Sequence, residues 1–154
     1  MDILGFLTGK KRRFFSQEEE ERMVEAIRSA ENMTSGEIRV FVESHCRFIN
    51  PMDRAMELFG ELEMTKTKDR NAVLLYFAMQ DKQMAILADE GIYRKMGQTF
   101  WENEIKAIMA EFKEKHFIDG ICHMISDVGE ALKSNFPYQR DDQNELADGI
   151  VFGK

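Results

Sequence analysis

Residues 71–91 read NAVLLYFAMQDKQMAILADEG. Two apolar runs flank one polar turn. Ala72–Ala78 is almost continuously apolar, Gln80-Asp81-Lys82 is the turn, and residues 84–88 form a second, shorter run. Runs this short, bounded by polar residues, fit central strands better than helices. The short turn predicts an antiparallel hairpin. Lys68-Asp69-Arg70 precede the pair and Asp89-Glu90 follow it, so hairpin pairing brings these two charge clusters to one edge of the sheet.

Working outward, TSGEIRVFVE at 34–43 predicts an earlier strand over residues 37–44. Asn50-Pro51-Met52-Asp53 predicts a helix start, with an N-cap, a proline at the first position and an acid in the first turn. Ala55, Leu58, Phe59 and Leu62 give that helix a buried face. A strand–helix–strand unit has parallel strands. Ser16-Gln17-Glu18-Glu19 is a capping box opening a helix to about Met33, with Met23, Ala26, Ile27 and Ala30 as its apolar stripe. Glu18 to Glu21 then suit the positive end of that helix's dipole.

After the hairpin, residues 91–97 read as a turn or helical turn. Thr99-Phe100-Trp101-Glu102 reads as another capping box, opening a helix that buries Trp101, Ile105, Ile108, Met109 and Phe112. A last helix is expected from near Asp119, on Ile121, Ile125, Val128 and Leu132, ending before Pro137. Ile150-Val151-Phe152 either docks as a terminal strand or packs on the core. The fold class is α/β, a single-domain α/β/α sandwich whose small mixed sheet (a parallel βαβ unit plus a hairpin) is covered by helices on both faces. The expected divisions are a basic amphipathic arm at 1–15, the domain at 16–136 and an acidic tail at 137–154.

Composition sets the class. The chain has 154 residues, enough for one core, with 44% hydrophobic and 32% charged residues. A net charge of −7 argues against nucleic acid as a partner. Cys46 and Cys122 lack metal-ligand spacing and are expected as free thiols in a reducing compartment. The apolar N-terminus is followed, not preceded, by Lys10-Lys11-Arg12-Arg13, the reverse of a secretory signal. The default location is cytoplasmic and the expected state monomeric. Residues 1–15 could rest weakly on an anionic membrane surface; the plainer reading has Phe14 and Phe15 stapling the arm onto the domain.

The topology sorts the chemistry. One edge collects Glu37, Asp69, Arg70, Asn71, Asp89 and Glu90, and the opposite edge collects His45, Cys46 and Asp81. Carboxylates from separate loops are the ligands a hard cation prefers, and Arg70 beside them could clamp a phosphate. Ordinary strand-end ion pairing explains the same residues. A cysteine phosphatase would need an arginine six positions after Cys46, where Met52 stands. Cys122 and His123 point about 100° apart on a helix and form no dyad. No P-loop, GxSxG, HExxH or CxxC occurs.

With TSGEIRVFVE, the Pro-capped helix, RNAVLLYFAMQDKQMAILADEGI at 70–92 and FKEKHFIDGI at 112–121 in hand, residues 16–134 resemble the TPM domain, the thylakoid phosphatase-like family, in its short stand-alone bacterial form. The resemblance implies an α/β/α sandwich, acid phosphatase activity and a divalent cation in a loop site, calcium before magnesium. Carried over by position, the family's polar residues fall on Asp69, Arg70 and Asn71, on Asp89 and Glu90, and on Asp119 within residues 112–120. Ala72 stands where the family often has glycine. Exported, membrane-attached and photosynthetic roles are not implied. The resulting expectation is a phosphate-ester hydrolase. Glu37, Asp69, Asp89 and Glu90 would hold the cation that activates water, with Arg70, Asn71 and Asp89 as catalytic residues. The alternative is a non-catalytic, calcium-binding module for a protein partner.

Overall fold

Alternation along β1 (Glu37–Glu43) places Ile38, Val40 and Val42 on one side of a sheet and Phe41 on the other. The computed structural model describes residues 14–138 and 150–153. Residues 1–13 of the basic arm and residues 139–149 of the acidic tail lie outside the described residues, and so does most of the segment on which the membrane-contact expectation rests.

The hairpin forms as read: β2 (Ala72–Ala78) and β3 (Gln83–Ala88) pair antiparallel, from Val73 opposite Ala88 to Ala78 opposite Gln83. β1 runs parallel to β2, with Glu37 opposite Ala72. Between them lies α2 (Pro51–Glu61), whose N-cap Asn50 accepts the Met52 N–H at 2.9 Å. The terminal apolar triplet is β4 (Ile150–Phe152), parallel to β1 on its other side, so the sheet order is β3-β2-β1-β4. Of the two possibilities left open for that triplet, the strand is the one observed.

α1 (Gln17–Glu31) carries the full capping box. Ser16 Oγ accepts the Glu19 N–H at 3.1 Å, and Glu19 Oε1 accepts the Ser16 N–H at 2.8 Å. After the hairpin come α3 (Glu90–Met96), α4 (Gln98–Lys113) and α5 (Phe117–Asn135). The capping box expected at Thr99 does not form. Gly97 adopts φ +80°, ends α3 and serves as N-cap of α4, so the helix starts at Gln98 with no side-chain cap and Thr99 is inside it. The last helix likewise begins two residues before Asp119.

The sheet separates two cores. Val73, Leu75 and Phe77 pack with α1, α4 and α5, around Met23, Ile27, Ile121, Ile125 and Val128. Leu74 and Tyr76 pack under α2 on Ala55, Leu58 and Phe59. A strand buried on both faces needs apolar residues throughout, which is why β2 reads as a run and not an alternation. Among the described residues no helix is long and apolar enough to cross a membrane.

Candidate functional site

The open end of the hairpin is built by tight turns. Arg70 sits at φ +52°, a left-handed conformation unusual for a side chain with a Cβ. The turn is closed by Arg70 N–H to Thr67 O at 3.4 Å and Asn71 N–H to Thr67 Oγ1 at 3.3 Å. Opposite it, Gly91 donates its N–H to Arg70 O at 2.8 Å. A Cβ on Gly91 would lie 2.1 Å from Asp69 O and 2.6 Å from Arg70 O, so only glycine permits this approach.

This geometry brings Arg70 onto Asp89. Nε donates to Oδ2 at 2.7 Å and the second guanidinium nitrogen donates to Oδ1 at 2.8 Å, a bidentate pair. The remaining terminal nitrogen is 3.5 Å from Glu90 Oε1. Asp89 Oδ1 also accepts the Glu90 N–H at 2.8 Å, so Asp89 is the N-cap of α3 as well as the arginine's counterion. The Asp89 side chain is 5% exposed and that of Arg70 42%. The Asp89 hydrogen bonds raise the Arg70 guanidinium still further above its ordinary range.

Asn71 is buried, and its amide nitrogen donates to Ser35 Oγ at 3.2 Å. Its Oδ1 is buried with no hydrogen-bond partner among the described residues. Ser35 belongs to the loop before β1, where the Cβ position of Gly36 would fall 3.1 Å from Asn71 O. Glu37 joins through its backbone, N–H to Asn71 O at 3.4 Å. Its side chain alternates onto the face that carries α2. Asp69 is exposed, and its carbonyl rather than its carboxylate meets the Gly91 turn.

Glu37, Asp69, Asp89 and Glu90 are therefore neighbours along an edge and not a cage. Among the described residues, no three His, Cys, Asp or Glu side chains gather in a set that could hold a metal ion. The expected quartet fails to assemble because Asp89 is drawn to Arg70, Glu37 turns into the sheet face and Asp69 faces solvent. A resident cation does not fit this arrangement.

At the opposite edge, His45 Nδ1 is 2.9 Å from Asp81 Oδ1, and the Cys46 N–H donates to Asp81 Oδ2 at 2.7 Å. The His45 contact and the Cys46 amide hold the Asp81 carboxyl below its usual range. A buried network beside this group escaped the sequence reading. Arg54 of α2 donates to both oxygens of Glu43, at 2.9 and 3.0 Å, and the Tyr76 hydroxyl donates to Glu43 Oε2. Burial, then the Glu43 hydrogen bond, push the Tyr76 phenol well above its ordinary value. An acid closing β1 and an arginine in the first turn of α2 were the available signals. Asp89 as a cap was also missed, although Asp-Glu ahead of Ile92 has the composition of a helix start.

Comparison with known proteins bears on this fold. A search of curated proteins found no match. The chain is similar to the BA42 protein of the psychrophilic bacterium Bizionia argentinensis, known from an NMR structure. Identity is 41%, covering 94% of this chain and 99% of that one, with a TM-score of 0.84. The family model of the TPM domain matches residues 10–131. With that match spanning most of the sequence and a relative this similar over nearly its whole length, the chain belongs to the TPM-domain family.

Proposed function

We propose that this TPM domain is a non-catalytic binding module whose ligand edge is the Arg70–Asn71–Asp89 end of the hairpin. The observation that carries this reading is the closed Arg70–Asp89 pair. The buried Asp89 carboxylate has both oxygens engaged, so neither is poised to take a proton from water. Among the described residues, no nucleophile–base pair stands beside it. A divalent cation enters this reading only as a competitor of Arg70 for Asp89. Calcium, which tolerates irregular oxygen sets, competes better than magnesium, which demands near-octahedral geometry.

The second reading, phosphate-ester hydrolysis, is favoured by two features. Asn71 Oδ1 is a buried acceptor with no hydrogen-bond partner among the described residues, and the Arg70 guanidinium is partly open to an incoming oxyanion. Two measurements separate the readings. Amide NMR titration with calcium, then magnesium, is expected to shift Arg70, Asn71 and residues 89–91. Phosphate release from p-nitrophenyl phosphate is expected to stay at the metal-free blank. Turnover above that blank, lost in Asp89→Asn with the thermal midpoint kept, would overturn the non-catalytic reading. Cation-induced shifts centred on His45 and Asp81 would remove the hairpin end as the ligand edge.

A further inference from the structure

Between α1 and the loop joining α4 to α5, beside Met79 just past the end of β2, lies a cavity of about 330 Å³. Ligands of α/β proteins favour the carboxyl ends of the parallel strands, and this is that end of β2. One wall is aromatic. Phe15 stacks on Phe117 at 6.0 Å, and Phe117 is held in turn by Phe112 at 4.1 Å and edge-on by Phe77 at 5.3 Å. The rim carries Glu19, Arg22, Lys115 and Asp119.

The rim's acids are already committed. Asp119 accepts from Arg22 at 2.7 Å, and Glu19 closes the capping box on Ser16. Lys115 has no ion-pair partner among the described residues. Its backbone is left-handed, φ +62°, fixed by Lys115 N–H to Phe112 O at 3.2 Å and His116 N–H to Glu111 O at 3.0 Å. A chain with an excess of acids thus sets one uncommitted ammonium at the mouth of an aromatic-walled cavity.

We infer that this cavity binds a small organic anion with a flat apolar body, the charged group at Lys115 and the body against the Phe15–Phe117 wall. Its volume is at the lower end for ligand sites, which suits a single ring bearing one acidic group. The Phe15–Phe117 wall supplies an apolar contact for the body, and the one cation fixes the orientation. This site is separate from the hairpin end and does not depend on the reading given to that edge.

The test is amide NMR of the full chain titrated with phenyl phosphate, with inorganic phosphate and phenol as probes of the head and the body alone. Phenyl phosphate is expected to shift Phe15 and residues 115–120 saturably, each half-probe binding several-fold more weakly. Lys115→Gly removes the ammonium and suits the left-handed backbone. It should weaken phenyl phosphate roughly three- to tenfold without lowering the thermal midpoint. Absence of saturable shifts, equal affinity in Lys115→Gly, or shifts confined to Arg70 and residues 89–91 would each overturn the proposal.

Discussion

Arg70 and Asp89, nineteen positions apart, meet across the open end of the β2–β3 hairpin through two parallel hydrogen bonds of 2.7 and 2.8 Å. The same carboxylate caps the helix that leaves the hairpin. Three local structures, the turn before β2, the end of β3 and the start of α3, therefore share one side chain. Asp89→Ala removes the pair and the cap together and should cost about 2–3 kcal/mol in urea unfolding. Asp89→Asn keeps an acceptor for the cap and should cost less. A double-mutant cycle with Arg70→Ala should show coupling of about 1 kcal/mol or more. Additivity of the two substitutions would mean that the pair contributes nothing to stability.

Gly91 and Gly60 should respond to alanine with opposite signs. At Gly91 the new Cβ meets backbone carbonyls at 2.1 and 2.6 Å, which no side-chain rotation relieves. Gly91→Ala is expected to cost about 2 kcal/mol or more, with shifts at the amides of residues 69–71. At Gly60, in the last turn of α2, nothing lies within 4 Å of the Cβ position. Gly60→Ala should stabilise by up to about 1 kcal/mol, through higher helix propensity and a less free unfolded chain. Paired thermal melts check both.

Glu104 gives the fold a pH-dependent weakness. It is buried on α4, and burial, then a hydrogen bond to Asp127 of α5, raise its carboxyl to about 8. Between pH 4.5 and about 8 the folded state holds a proton that the unfolded state has released. Stability from this group is full below the lower value, falls as pH rises and is flat above the upper one, with a slope of at most about 1.4 kcal/mol per pH unit. Urea midpoints across that window should decline in the parent and decline less in Glu104→Gln. Identical slopes would place the proton elsewhere.

Around Glu43, removal of different partners should have unequal effects. Arg54→Ala strands a carboxylate whose side chain is 9% exposed, and should cost about 3 kcal/mol or more. Tyr76→Phe leaves both arginine hydrogen bonds in place and should cost about 1 kcal/mol. Equal losses from the two would show that the phenol and the guanidinium support Glu43 alike.

Features written in neighbouring residues were legible in the sequence, and features written across the sheet were not. The bounds of β2 follow from its apolar run, and the starts of α1 and α2 from Ser16 and Asn50, because strand burial and helix capping are local. The start of α4 was misread because Thr99 and Glu102 match a capping box, while the decisive feature is the positive φ of Gly97. Gathering Arg70, Asn71, Asp89 and Glu90 at one edge needed only hairpin geometry. That Asp89 pairs with Arg70 depends on side-chain orientation, which spacing does not encode. The Glu43–Arg54–Tyr76 network was invisible for a related reason: its members come from three elements brought together by the crossover.

The pairing of β1 with β4 also sets an order of events. Val40 finds its partner at Ile150, so the sheet's fourth strand joins only after more than a hundred further residues exist. Until then one margin of β1 has no strand beside it, while the βαβ unit and the hairpin can already form from nearer segments. Such long-range closure is slow. On a ribosome, the nascent chain would hold an unfinished three-stranded intermediate whose bare margin is open to mispairing. Final locking of the sheet is therefore a late step of folding.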